Sequence, residues 1–257
     1  MRLKHGQILA SVKGKSHLHQ TTRHDNFFNW TGLDHVAGLI EIHIHALSLG
    51  ANQYHIPGQT IMTNPLTFLQ KLHEHKVSYT FAPNFFLALL VHELLSNSNK
   101  STNLELSSLR AFISGGESNV LETCVKLTSL MQEHGAPSSF IRPGFGMTET
   151  CAGSIYSLDC PVYDVARKDE FACLGHCIRG IEMRIVEEDG MEVEANNLGE
   201  LQVRGNVVFD QYHNDMYTSH QSWTGDGWFR TGDRGFLDSN RRLHLTGRDK
   251  DTVIING

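Results

Sequence analysis

Hydroxyl, carboxylate and guanidinium groups gather among glycines in two distant stretches of this 257-residue chain. The first is Gly144-Phe-Gly-Met-Thr-Glu-Thr150. The second is Asp226-Gly-Trp-Phe-Arg-Thr-Gly-Asp233, continued by Gly247-Arg-Asp-Lys-Asp251. Glycines let backbone approach a flat ligand and expose N–H donors. Thr148 offers a hydroxyl to a phosphate oxygen, and Glu149 a hard oxygen ligand for Mg²⁺. Phe145 can pack on an adenine face. A carboxylate such as Asp233 can accept hydrogen bonds from both hydroxyls of a ribose, and the planar fork of Arg248 can reach ribose or phosphate. Plainer roles fit the same residues: a tight strand exit at 144–149, a turn carboxylate at Asp233, a solvated charge at Arg248.

The elements that must position these groups can be read from pattern. Asn64 caps a predicted helix with Pro65 at its first position and Leu66, Leu69 and Leu72 on one face. Val77 to Ala82 reads as a buried strand ending at Pro83, and a second helix runs from Asn84 to Leu95. A strand at Arg110 to Ser114 ends in Gly115-Gly116. A helix over Asn119 to His134 stops at Gly135, and a third strand starts at Phe140 and Ile141. Repeated helix–strand units imply an α/β fold with a parallel sheet flanked by helices, here residues 1–171. In such sheets ligands bind where loops leave the carboxyl ends of strands, which is where Gly115-Gly116 and 144–149 fall. From about residue 172 the alternation of Ile181, Met183 and Ile185 with Glu182 and Arg184, and the turn at Asp189-Gly190, predict a small antiparallel β-barrel-like subdomain over 172–247.

Composition narrows the possibilities. Hydrophobic residues at 40% and charged residues at 19% describe a folded globular chain rather than a disordered one. A net charge of −6 argues against nucleic acid as a partner, since phosphate backbones require concentrated Lys and Arg. The strongest apolar run, Phe85 to Val91, is too short to span a membrane, and no signal peptide is visible. Five scattered cysteines point to a reducing cytoplasm rather than a disulfide framework. Sixteen histidines raise a metal reading, with pairs at His43/His45 and His73/His75 and a half-site at Cys173-Leu-Gly-His-Cys177. No second half-site accompanies them, so surface and loop histidines are the favoured reading.

With these stretches in this order, the chain resembles the adenylate-forming superfamily of acyl-CoA synthetases, luciferases and nonribosomal peptide synthetase adenylation domains. Residues 144–150 are similar to its Gly-x-Thr-Glu core motif, 231–233 to its Thr-Gly-Asp motif, and 247–257 to its hinge segment. Ser114-Gly-Gly-Glu117 is similar to its adenine-side segment, and Leu33 to Gly38 to the stretch lining its acyl pocket. The run Gly146 to Tyr156 resembles fungal synthetase-like adenylation domains, which often precede a carrier domain and a releasing domain. The resemblance covers nearly the whole chain.

It implies attack of a carboxylic acid on the α-phosphorus of ATP, giving an acyl-adenylate and pyrophosphate. Thr148 would then hold phosphate, Glu149 the Mg²⁺, and Asp233 and Arg248 the ribose. Gly115, Gly116, Glu117, Phe145, Gly146 and Met147 would flank adenine. His35 would border the acyl site, and Lys250 would sit at the hinge. The acceptor thiol would belong to coenzyme A or a phosphopantetheine carrier domain. The family's phosphate loop is expected before residue 1 and its C-terminal domain after Gly257, so the resemblance implies a truncated domain. Very weak adenylation by the polypeptide alone, at roughly 10²–10³ in rate per lost contact, and poor solubility from unpaired sheet edges are the matching expectations. Two other readings stay open. A non-catalytic remnant would bind nucleotide or partner domains without pyrophosphate exchange, and a histidine-rich metal protein would retain stoichiometric metal after dialysis.

Overall fold

A computed structural model describes residues 1–97 and 103–248. Its helices are α1 (His5–His19), α2 (His45–Leu49), α3 (Gly58–Thr63), α4 (Leu66–Glu74), α5 (Asn84–Ser96), α6 (Leu121–Gln132), α7 (Val162–Arg167) and α8 (Met216–Gln221). Strands β1 (Asn26–Asn29), β2 (Asn52–His55), β3 (Tyr79–Phe81), β4 (Ala111–Ser114) and β5 (Ile141–Met147) pair in parallel in the order β2-β1-β3-β4-β5. Phe27, Phe28, Ala111 and Phe112 are fully buried because both faces of this sheet are covered. One face packs Phe28 and Phe112 against Phe68 of α4, Phe86 of α5 and Leu127 of α6. The other packs Phe27, Tyr79 and Ile113 toward the second sheet. Among the described residues no helix is long and apolar enough to cross a membrane.

The predicted helix capped at Asn64 and those at 84–95 and 119–134 correspond to α4, α5 and α6, and the predicted strands to β3, β4 and β5. Of the helical segments with no counterpart in the pattern, two bury polar groups near the site. In α1 the buried stripe at four-residue spacing is Gln7, Ser11, Lys15 and His19, all polar. Residues Ala37–Ile44 wind as a π-helix that runs directly into α2 and buries Ile40, Glu41 and Ile42. A π-helical stretch within a helix often marks a functional position.

The third difference concerns the glycine signature. Sequence pattern places it in the loop leaving β5, whereas β5 continues to Met147 and Thr148–Thr150 forms one 3₁₀ turn. The chain then returns antiparallel as β6 (Ala152–Tyr156), and β7 (His176–Cys177) adds to its far side. Glycine is required here by contact. A Cβ on Gly146 would stand 2.2 Å from the Ala152 carbonyl oxygen and 2.4 Å from Gly153 Cα, both backbone. Gly146→Ala should therefore force the hairpin apart and lower stability by about 1–3 kcal/mol, seen as a drop in the thermal midpoint.

The remaining strands, β8 (Ile181–Val186), β9 (Gly199–Gly205), β10 (Phe229–Leu237) and β11 (Leu243–Arg248), form a separate antiparallel sheet in the order β11-β10-β9-β8. The Asp189-Gly190 turn closes with Gly190 at φ +86° and Glu187 N–H donating to the Met191 carbonyl at 2.9 Å. Two main-chain bonds tie this sheet to the first. Leu174 N–H donates to the Leu243 carbonyl at 2.7 Å, and Leu243 N–H to the Gly175 carbonyl at 2.9 Å. That seam brings β10 and β11 beside the ends of β4 and β5.

Candidate functional site

A cleft of about 320 Å³ opens along the seam. Gly116 and Glu117 reach it from the end of β4, Phe145 and Gly146 from β5, and Asp233 and Arg248 from β10 and β11. A smaller chamber of about 60 Å³ adjoins it, sharing Gly116, Gly144 and Gly146 as common wall and adding Gly115 and His35. The glycines make this wall thin. A Cβ on Gly115 would lie 2.5 Å from the Gly144 carbonyl, and one on Gly144 2.6 Å from the Tyr156 ring.

Asp233 and Arg248 face each other across the β10–β11 ladder, with Arg248 Nε donating to Asp233 Oδ1 at 3.2 Å. The Asp233 side chain is 8% exposed, whereas that of Arg248 is 66% exposed. The carboxylate is thus fixed at the cleft wall while the guanidinium reaches toward solvent. Asp233 N–H also donates to Thr231 Oγ1 at 3.1 Å. Glu117 is exposed, and its Oε1 accepts from the Phe85 N–H at 2.7 Å. His35 is exposed at the chamber rim with Nδ1 accepting from the Ala37 N–H at 3.1 Å.

Met147, Thr148 and Glu149 follow the lining part of β5 and do not themselves line either space. Met147 N–H donates to Thr150 Oγ1 at 3.1 Å. Thr148 is exposed; Glu149 is half-buried, with Oε1 accepting from the Tyr212 hydroxyl at 2.9 Å. Lys250 lies outside the described residues. Of the histidine pairs, His43 bonds Gln53 at 2.8 Å, and His45 bonds Ser16 and Thr21, each at 2.9 Å.

Sequence reasoning missed the polar centre beneath the chamber. Lys15 Nζ and Glu41 Oε2 lie 2.9 Å apart with side chains 0% and 2% exposed. Gly153 N–H donates to the same oxygen at 3.1 Å. Glu41 Oε1 accepts from Tyr79 at 2.8 Å and from Tyr156 at 2.7 Å. A carboxylate has about four lone-pair sites, and four donors fill them here. Burial alone would push the Glu41 carboxyl up, but the Lys15 charge and these hydrogen bonds outweigh it and hold the group below its ordinary value. His19 stands edge-on to Tyr156 and Tyr79 with neither ring nitrogen partnered, and burial pulls it down to about 3. Burial likewise lowers His45 to about 4. The available signal was a lone carboxylate within the apolar run Leu39-Ile-Glu-Ile-His-Ile44.

A parallel-dominated mixed sheet joined to a separate four-stranded antiparallel one is the architecture of the large N-terminal domain of adenylate-forming enzymes. The chain belongs to the AMP-binding enzyme family, whose model matches residues 2–213. It is 52% identical to microperfuranone synthase of Emericella nidulans, over 99% of this chain and 27% of that protein. It is 47% identical to the nonribosomal peptide synthetase acyN of Ascocoryne sarcoides, over 99% and 28% respectively. The chain thus spans a little over a quarter of these curated relatives. Among solved structures it superposes on the McyG A-PCP complexed with phenylalanyl-adenylate, with a TM-score of 0.93, 30% identity, and 99% and 39% of the two chains covered. It also matches the adenylation domain of a keto acid-selecting module bound to keto acyl adenylate, with a TM-score of 0.89, 30% identity, and 99% and 52% covered.

Proposed function

We propose that the seam cleft binds the adenosine monophosphate portion of ATP and that the domain activates a carboxylic acid as its acyl-adenylate. The observation that carries this reading is the convergence of Gly116, Phe145 and Asp233 on one cleft that shares a glycine wall with a second chamber. Phe145 and the Gly116 backbone take the adenine, while Asp233 accepts from the ribose hydroxyls. The acid enters the smaller chamber beside His35, and the thin wall lets its carboxylate meet the α-phosphorus. The carboxylate oxygen forms the new P–O bond as pyrophosphate leaves. Thr148 offers its hydroxyl to the phosphates. Glu149, with one oxygen on Tyr212, is the hard donor suited to Mg²⁺, an ion that offsets phosphate charge when bound.

The chamber's chemistry also bears on the acid. Glu41 is the one carboxylate among the described residues that line it, and its acceptor sites are filled. A substrate ammonium would be desolvated there without a counter-charge, which is unfavourable by several kcal/mol. The reading therefore favours an acid with a neutral group beside its carboxyl, such as a keto acid, which agrees with the keto acyl adenylate of the solved neighbour. The product ester then acylates a thiol, on a phosphopantetheine carrier domain or coenzyme A.

Titrating AMP into the chain by calorimetry tests the nucleotide site. Asp233→Asn should weaken AMP about tenfold to a hundredfold, the worth of one or two charge-assisted hydrogen bonds. No AMP binding by the unaltered chain, or equal binding by the variant, refutes the assignment. Pyrophosphate exchange with phenylpyruvate against phenylalanine then tests the acid class.

A further inference from the structure

We propose that Glu41 is a positioning residue that sets the shape of the acyl chamber through Tyr156, and so selects which acids enter. The inference rests on the acid-activating reading and deepens it. Four elements meet on the Glu41 carboxylate: Lys15 of α1, the π-helix that carries Glu41, Tyr79 of β3, and Gly153 and Tyr156 of β6. Only Tyr156 and Gly153 among these partners also line the chamber. Tyr156 is 1% exposed, and its ring is pressed against the shared wall. A Cβ on Gly144 would meet its Cδ1 at 2.6 Å, and a Cβ on Gly153 its hydroxyl oxygen at 2.0 Å. The ring therefore has one place to stand, with its hydroxyl held between Glu41 and Gly153 and its edge against Gly144. Since Lys15 fixes Glu41 from beneath, the position of the chamber floor is dictated by a helix that lines neither the cleft nor the chamber.

Tyr79 supplies an internal control, because it donates to the same oxygen but does not line the chamber. The experiment compares the unaltered chain, Tyr156→Phe and Tyr79→Phe by calorimetry with two probes. One is AMP; the other is sulfamoyl adenosine bearing a phenylacetyl group, a stable acyl-adenylate mimic. AMP affinity should stay within about twofold across all three proteins, as expected for a site the ring does not form. The mimic's advantage over AMP should fall about tenfold in Tyr156→Phe and stay within about twofold in Tyr79→Phe, one lost hydrogen bond in each case. Glu41→Gln, where it folds, should move the ratio in the direction of Tyr156→Phe. Equal effects of the two tyrosine variants, or no effect of Tyr156→Phe, overturn the positioning role alone. Failure of the unaltered chain to bind AMP overturns the nucleotide reading instead.

Discussion

Lys15→Met should be the most damaging single change in the chain outside its aromatic core. It removes the ammonium from a carboxylate that is 2% exposed and leaves a charge buried with neutral donors only. Breaking one side of such a pair typically costs about 3–5 kcal/mol. At about 2–4 °C per kcal/mol for a chain of this length, the thermal midpoint should fall by roughly 10 °C. Lys15 also donates to the Cys151 carbonyl at 3.0 Å, so the loss reaches the β5–β6 hairpin. Pairing the change with Glu41→Gln removes the stranded charge. The double variant should recover about half of the loss, because coupled neighbours are not additive. Thermal and urea melts of the four proteins of this cycle measure it. A Lys15→Met midpoint within about 2 °C of the unaltered chain would show that the pair contributes little to stability.

The second large effect is a loss of stability on mild acidification. His19 and His45 titrate near 3 and 4 in the folded chain, against 6.5 ordinarily, because burial opposes their charging. Unfolded, both take up protons as pH falls through 6.5, while the folded chain binds none until far lower. The unfolded state therefore binds more protons throughout this window, and stability falls with pH. At pH 5 the cost is about 2 kcal/mol for each histidine, or roughly 4 kcal/mol for the two. Glu41 acts in the same sense but lower. Its depressed value keeps its contribution intact above the ordinary carboxylate range and removes it only as pH falls through the folded value. Urea denaturation at pH 7.5 and 5.0 reads the total, and His19→Phe should remove about half of the difference. It should also cost little at pH 7.5, because neither ring nitrogen of His19 has a partner to lose. An unchanged pH slope in that variant would contradict the account.

What the sequence disclosed follows from where polarity and periodicity agree. α4, α5 and α6 show apolar residues at helical spacing because their inner faces pack on Phe28 and Phe112, and β3 and β4 are short apolar runs buried on both sides. α1 was illegible because its inward face is Gln7, Ser11, Lys15 and His19, residues normally assigned to solvent. The side-chain partners of Gln7, Ser11 and Lys15 are Val208, Asp210, Cys151 and Glu41, up to 203 residues away, and no local window contains them. The π-helix was equally hidden, since its wider turn breaks the spacing on which amphipathic patterns rely. Of the site, the glycines, Phe145 and Asp233 carried their own signal through residue type. Tyr156 and Glu41 did not, because their roles exist only once α1, β3 and β6 converge on one carboxylate.

The cleft has walls from both sheets, yet the seam that joins them beside it is a pair of main-chain bonds between residues 174–175 and Leu243. Whatever fills the cleft works as a rivet between two plates. Occupancy should add to the buried apolar contacts that already clamp the plates, such as those of Phe27, Tyr79 and Ile113 with Leu201, Val203 and Phe229.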